Sequence, residues 1–255
     1  MLIDFSCYSS VKIGGLVKVQ VLDVCAPYAG LRMVGLANNL LVAPEAKNLA
    51  ILSKNFDYIT DLGTCLEVGA KTNAQKLFSY YKNHDLQGLE FLGALPGSLG
   101  GLVKMNAGMK AYEMKEVVEA LNINGEWVEA KDDLGFGYRT SGIEGVVFKA
   151  RLKKRKGFRQ EVYQDCQCMR CHPKKPSFGS CFKNPPGDFA GRLLEAVGLK
   201  GFSLGRVGFS PLHANFLINL GGGRFEEVVK LIALAKERVF NAFGIALVEE
   251  VCIYY

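Results

Sequence analysis

The chain lacks any apolar run long enough to cross a membrane, which takes about 20 residues as a helix, although 49% of its 255 residues are hydrophobic. Its start, Met1-Leu2-Ile3-Asp4-Phe5-Ser6, has no basic stretch leading into an apolar core, so a secretory leader is not expected. A soluble, cytoplasmic protein is expected instead. No charge dominates either: 31 basic against 25 acidic residues leave +6. Nucleic-acid binders concentrate charge more strongly, whereas a mild excess equally suits a phosphorylated or anionic small molecule. There is no internal repeat and no low-complexity tract. There is also no Gly-x-Gly-x-x-Gly between a strand and a helix, so a Rossmann dinucleotide site is not supported. The eight cysteines are scattered, and in a reducing compartment most of them are expected as free thiols.

What is present supports a sizeable core without staples. Val17-Lys18-Val19-Gln20-Val21 alternates apolar and polar, as a half-buried strand does. Leu31–Val34 and Leu40–Val42 read as strands around the turn Gly35-Leu36-Ala37-Asn38-Asn39. Pro44–Ser53 reads as a helix with Ala46, Leu49 and Leu52 on one face, and Asn73–Leu86 as another. Val117–Glu129 reads as a hairpin turning at Asn124-Gly125. The basic stretch 149–160 reads as a strand end and a linker, the candidate domain boundary. A short helix is expected at Asp188–Val197, with Asp188 as N-cap and Gly198 beyond its end. A long helix is expected at Glu226–Phe243, and a closing strand at Leu247–Ile253 with Val248, Glu250 and Cys252 on one face. Strands and helices interleave unevenly, which argues for α+β over a doubly wound sheet.

Gly179-Ser180-Cys181-Phe182-Lys183-Asn184-Pro185 sets a hydroxyl beside a glycine, a cation and an amide. A serine hydroxyl needs nearby charge to act as acid or nucleophile, and Lys183 can supply it. A polar turn ended by Pro185-Pro186 reads the same way. Gly35–Asn39 can aim successive N–H groups at an anion, or be an ordinary hairpin turn. Between Gly88 and Gly108 lie six glycines in 21 residues, among Leu, Val and Met. Such a mixture is no flexible linker. It implies buried backbone that something approaches closely, a flat cofactor ring or a second element of the fold. Arg139, next to Tyr138 and outside any charge run, suits a fixed carboxylate or phosphate, with a surface arginine as the alternative. Glu250 reads equally as a solvated carboxylate.

Cys168-Met169-Arg170-Cys171-His172 spells the haem c attachment pattern, and Cys166 adds a fourth possible zinc ligand. Haem attachment does not fit a cytoplasmic chain, and four ligands packed into one short segment suit a closed tetrahedral site poorly. A linker leading to Ser180 is expected there. The basic stretch lacks the interleaved aromatics of a nucleic-acid platform.

Taken in order, the segments resemble the UDP-N-acetylenolpyruvoylglucosamine reductase family, flavoenzymes of bacterial peptidoglycan synthesis and so of cell-wall biogenesis, cell shape and cell division. The likeness runs through Lys12-Ile13-Gly14-Gly15, Gly35–Val42, Gly88-Leu89-Glu90, Pro96–Gly101, Asn106-Ala107-Gly108, Tyr138-Arg139 and Gly179–Pro185. It continues through Gly198-Leu199-Lys200-Gly201 and His213-Ala214-Asn215-Phe216 to Glu250-Val251. The compact chain resembles the shorter type of the family. It departs where Ala37 and Asn38 replace a glycine and a serine of the phosphate turn, where His172 replaces a glutamine, and where Cys252 replaces an arginine.

The resemblance implies an α+β fold with a two-part FAD-binding region of the vanillyl-alcohol-oxidase type, residues 1–52 and 53–155. A substrate-binding domain, residues 156–255, would follow, its final strand returning Glu250. FAD would be held by Gly35, Leu36, Ala37, Asn38, Asn39 and Leu40, and by Pro96, Gly97, Ser98, Gly100, Gly101, Asn106 and Gly108. NADPH would be the reductant and a UDP-sugar enol ether the substrate. Ser180 would donate a proton, Arg139 and Glu250 would stabilise enolate charge, and Tyr138, Lys183, Asn184 and Lys200 would contact the UDP-sugar. No metal, nucleic acid or membrane is implied. Another FAD oxidoreductase of the same cofactor fold, or a metal or nucleic-acid module, are the alternative classes.

Overall fold

Asn124 and Gly125 both take positive φ, 55° and 100°, and a two-residue turn of that hand matches the twist of the strands it joins. It links Val118–Ile123 to Glu126–Glu129 as an antiparallel hairpin, where the sequence predicts one. The structure is a computed structural model and describes residues 1–130, 134–169 and 172–255. The hairpin belongs to a five-stranded antiparallel sheet that continues through Val147–Lys153 and Cys65–Gly69 to Ile59–Asp61. Among the described residues no helix is long and apolar enough to cross a membrane.

The chain forms two compact units. Met1–Val19, Ala37–Lys47 and Cys171–Tyr255 make the first, and Gln20–Leu36 with Asn48–Arg170 the second. This differs from the consecutive segments 1–52, 53–155 and 156–255, and the basic stretch 149–160 lies inside the second unit. The cause is pairing between distant segments. In the first unit Leu40–Val42 runs parallel to Cys252–Tyr254, and the Asn219 amide donates to the Val11 and Lys12 carbonyls at 3.1 and 2.9 Å.

The first unit also holds a four-stranded sheet, Ser177–Ser180, Phe216–Asn219, Val207–Phe209 and Ser203–Leu204 in that order. Its long helix, Phe225–Phe243, buries Phe225, Val228, Leu231, Ile232, Ala235 and Val239, one stripe at helical spacing. Gly244 ends it in the left-handed conformation. In the second unit Ala74–Asn83 buries Ala74, Leu77, Phe78 and Tyr81, and Asn73 caps it by accepting from the Lys76 N–H.

Four expectations are corrected. Pro44–Ser53 is not a helix: Asn48 takes a φ of 58°, and Leu49–Leu52 is a strand with all four residues buried, parallel to Arg32–Met33. An apolar run buried on both faces mimics helical spacing. The expected linker before Ser180 contains a helix, Gln160–Cys168. The closing strand is shorter, Cys252–Tyr254, although the expected alternation continues upstream of it, with Leu247 and Val251 buried and Val248 exposed. The short helix is Ala190–Ala196. Asp188 does not cap it but pairs with Arg192, and the Asn184 side-chain oxygen accepts from the Ala190 N–H at 3.1 Å.

One buried ion pair ties the second unit together. The fully buried Glu90 carboxylate accepts from Arg159 Nε and an outer guanidinium nitrogen at 2.9 and 3.0 Å, and from the Gly88 and Arg159 N–H groups at 2.8 and 3.1 Å. Burial alone would raise its pKa, but these hydrogen bonds outweigh burial and hold it below the ordinary 4.5. A carboxyl depressed in the folded state contributes stability above its unfolded pKa and loses it as pH falls through the folded one. Glu90→Gln is expected to cost about 2 kcal/mol at neutral pH, below the range for a wholly buried pair because the Arg159 side chain is 32% exposed. Calorimetry from about pH 7 to 3 should show a flatter acid limb in the variant, and an unchanged limb would exclude Glu90 as its source.

Candidate active site

In the second unit, Ser98 precedes the helix Leu99–Lys104 yet makes no side-chain cap. Its residue is 5% exposed, and its hydroxyl makes no hydrogen bond among the described residues. Gly35, at a φ of 55°, would place a Cβ 3.0 Å from that hydroxyl, and Gly101 would place one at 3.6 Å. Two missing side chains therefore leave room beside this hydroxyl. The neighbouring N–H groups are spent within the unit: Leu99 donates to Thr72 and Gly100 to Ala70, at 2.8 and 2.9 Å. Pro96 is exposed, and Gly97 turns the chain at a φ of 139°.

A second cluster holds Tyr138 and Arg139. Gly137 and Thr140 exchange backbone hydrogen bonds at 3.0 and 3.3 Å across them, closing a two-residue turn. Arg139 has a φ of 54°, a left-handed conformation that costs a residue with a Cβ roughly 1 kcal/mol. Its guanidinium donates to the Gly108 carbonyl at 2.8 Å and lies 5.1 Å from the Tyr138 ring centre. Asn106, fully buried, accepts from the Lys115 N–H and donates to Glu113 Oε2 and the Gly137 carbonyl, each at 3.0 Å.

The first unit carries the rest. Gly179 takes a φ of 86°, and the pairing of Ser177–Ser180 with Phe216–Asn219 slips at that point, which turns Ser180 out of regular register. The Ser180 hydroxyl makes no hydrogen bond among the described residues. Asn215 fixes the backbone behind it: its carbonyl accepts from the Cys181 N–H at 2.7 Å, its side-chain oxygen accepts from the Phe182 N–H at 2.9 Å, and its amide nitrogen donates to the Phe182 carbonyl at 2.7 Å. The Cys181 carbonyl in turn accepts from the Glu250 N–H at 2.9 Å. The Asn39 amide donates to the Glu250 carbonyl at 2.8 Å, and the Cys252 N–H to the Asn39 carbonyl at 3.0 Å.

Ser180, Asn39 and Glu250 are thus joined through one run of backbone. Lys183 belongs to it too, its N–H donating to Val248 at 2.9 Å. Ala37 has a φ of 50°, where the family's turn carries glycine. The Ala37 and Asn38 carbonyls accept from Ser10, and Leu40 starts the strand that follows. Leu36 belongs to the second unit. Lys200 is paired with Glu195 at 2.8 Å on the surface. Burial first, then Glu249 and Glu250, push the Cys181 thiol well above its ordinary pKa, so it stays protonated and inert beside Ser180. Glu249 itself pairs with Lys236 at 2.8 Å.

Asn215 was missed as a functional position, although a lone amide among Ala214, Phe216, Leu217 and Ile218 is itself a signal, since a buried amide needs fixed partners. Of the cysteine pattern, Cys166 is buried and Cys168 exposed, two residues apart on one helix and so on different faces. Cys171 lies outside the described residues.

Comparison with known proteins identifies the family. A family model described as the UDP-N-acetylenolpyruvoylglucosamine reductase C-terminal domain matches residues 172–254. The chain is 60% identical to the UDP-N-acetylenolpyruvoylglucosamine reductase of Helicobacter pylori (strain ATCC 700392 / 26695) over 98% of this chain and 97% of that one. It is 42% identical to that of Campylobacter jejuni (strain RM1221) over 99% and 100%. The crystal structure of the Thermus caldophilus enzyme of that name superposes with a TM-score of 0.86 at 30% identity, over 100% of this chain and 98% of that one. The chain has the α+β fold of an oxidoreductase family, and it belongs to the UDP-N-acetylenolpyruvoylglucosamine reductases.

The Asn215 clamp has a measurable worth. Asn215→Ala leaves the Phe182 N–H and carbonyl without partners, at about 1–3 kcal/mol for each buried group. A loss of about 3 kcal/mol or more in urea unfolding is expected, and a loss below about 1 kcal/mol would show that water or a shifted backbone replaces the clamp.

Proposed function

We infer that this chain binds FAD, takes reducing equivalents from NADPH, and reduces the enolpyruvyl group of UDP-N-acetylenolpyruvoylglucosamine to UDP-N-acetylmuramate, a cytoplasmic step of peptidoglycan synthesis. The observation that carries the reading is the shared Cys181 peptide: it follows Ser180 directly, and its carbonyl holds the Glu250 backbone at 2.9 Å. A hydroxyl acid and a carboxyl are held as one rigid piece, in a chain 60% identical to a reductase of that name.

The residues fit the cofactor. The unused Ser98 hydroxyl flanked by Gly35 and Gly101 suits a phosphate-bearing group, and the apolar, glycine-rich backbone from Gly88 to Gly108 suits a flat ring. When bound, FAD supplies the two-electron chemistry, accepting a hydride from NADPH and passing one to the β-carbon of the enol ether.

This chain's residues manage the charge and the proton. Arg139 pairs with the enolpyruvyl carboxylate, where negative charge grows as the double bond is reduced, and its turn sets its donors in advance. Ser180 Oγ delivers the proton that completes the α-carbon, and Lys183 lowers the cost of the alkoxide left behind. Glu250, protonated, donates toward the same carboxylate. The Asn184 oxygen is occupied by the Ala190 N–H, which leaves its NH₂ to donate to the UDP-sugar. Lys183, Lys200 and Tyr138 complete that contact, Lys200 exchanging Glu195 for phosphate.

Two measurements test the reading. The purified protein should be yellow, and because no His or Cys lies in Gly35–Asn39 or Gly88–Gly108, acid precipitation should release all the flavin. Flavin retained on the pellet would refute non-covalent binding. Ser180→Ala should leave FAD reduction by NADPH nearly unchanged and slow reoxidation by the UDP-sugar on the order of 10²–10⁴-fold, the worth of a positioned acid. Stopped-flow absorbance resolves the two halves, and equal slowing of both, or of neither, would remove Ser180 as the proton donor.

A further inference from the structure

The buried Asn106 side chain has both of its donor hydrogens and one acceptor site of its oxygen taken up by protein. Its oxygen takes the Lys115 N–H, its nitrogen gives one hydrogen to Glu113 and the other to the Gly137 carbonyl. Its own N–H goes to the Val103 carbonyl at 2.9 Å. Its φ of 43° is one that asparagine tolerates better than most residues. Gly137 is the first residue of the turn that carries Arg139, and Gly108, two residues beyond Asn106, takes the Arg139 guanidinium at 2.8 Å.

One short segment therefore grips the turn at its base and the arginine at its tip. Arg139 sits in a backbone conformation that favours glycine, and such strain persists only where the surroundings over-determine it. The Gly137 carbonyl and the Gly108 carbonyl are two of the holds on it. Glu113 takes the other hydrogen of the Asn106 amide at 3.0 Å, which fixes the amide plane that presents the second hydrogen to Gly137.

We propose that Asn106 is a positioning residue that acts through Arg139, holding the 137–140 turn so that the guanidinium meets the substrate carboxylate, and that its side chain does not contact FAD. This rests on the reading of Arg139 as the partner of that carboxylate. Asn106 would then matter in the second half-reaction, where charge grows on the substrate, and not in cofactor binding or flavin reduction.

Asn106→Gly removes the amide and keeps a residue at ease with positive φ. Wild type, N106G, R139A and the double variant are compared for bound FAD, for its reduction by NADPH, and for its reoxidation by UDP-N-acetylenolpyruvoylglucosamine. N106G should slow reoxidation by roughly 10–100-fold, the cost of misplacing a charge by about an ångström. It should leave FAD content and reduction within about threefold. In the R139A background the same change should add less than about threefold, because residues acting as a unit do not add.

Loss of FAD from N106G, or a full-sized effect in the double variant, would overturn the proposal. If N106G does not fold, N106D keeps the acceptor for Lys115, loses both donors, and supports the same comparison. If the wild-type flavin is not reoxidised by the UDP-sugar, the functional reading falls. The crystal structure of the variant then decides alone: a displaced 137–140 turn upholds the positioning role, an unmoved one overturns it.

Discussion

Two hydrogen bonds from one side chain to one residue set what the first unit presents. The Asn215 amide brackets Phe182, accepting from its N–H and donating to its carbonyl at 2.9 and 2.7 Å. An amide does this better than any other neutral side chain, since it accepts and donates on one rigid plane. With Phe182 fixed, the Cys181 carbonyl has one direction, and Glu250 hangs from it at 2.9 Å. Ser180 lies one residue upstream, past a glycine at a φ of 86°. The irregular backbone that exposes the hydroxyl is tolerated because the residues just after it cannot move.

The second unit repeats the arrangement in different geometry. Arg139 sits at a φ of 54°, and a buried asparagine, Asn106, anchors the turn beneath it. In both units a side chain with chemistry sits on backbone that regular structure would not supply, and a buried amide takes up the freed backbone groups. The strain is local and the compensation is one layer deeper, as preorganised charge requires: donors are set before charge develops.

What could be read in advance follows the range of the interactions. The Asn124-Gly125 hairpin and the helices Ala74–Asn83 and Phe225–Phe243 are governed by neighbours three or four residues away, and they appear where spacing and caps predict. Leu49–Leu52 misleads because all four of its residues are buried, so no polar alternation marks it as a strand, and its pairing with Arg32–Met33 is not a neighbouring-residue contact. Asp188 looks like a cap, yet Arg192 takes its carboxylate and Asn184 serves Ala190 instead. The family resemblance singled out Ser180, Arg139 and Glu250 as expectations, but nothing local shows that Asn106 gives both amide hydrogens to protein groups or that Asn215 clamps Phe182. Those are facts of tertiary contact.

The first unit is stitched from three stretches, and its last strand, Cys252–Tyr254, pairs with Leu40–Val42 across some two hundred residues. A ribosome therefore releases the second unit with nearly all its partners made, while residues 1–19 and 37–47 wait for the far end of the chain. The Asn39 side chain has no Glu250 carbonyl to bind until then. Contacts so distant along the chain close slowly, and the waiting strand edge is open to other chains. Order of synthesis thus separates the two units in time: the 137–140 turn is set early, and Ser180 gains its fixed surroundings only after the last strand is made.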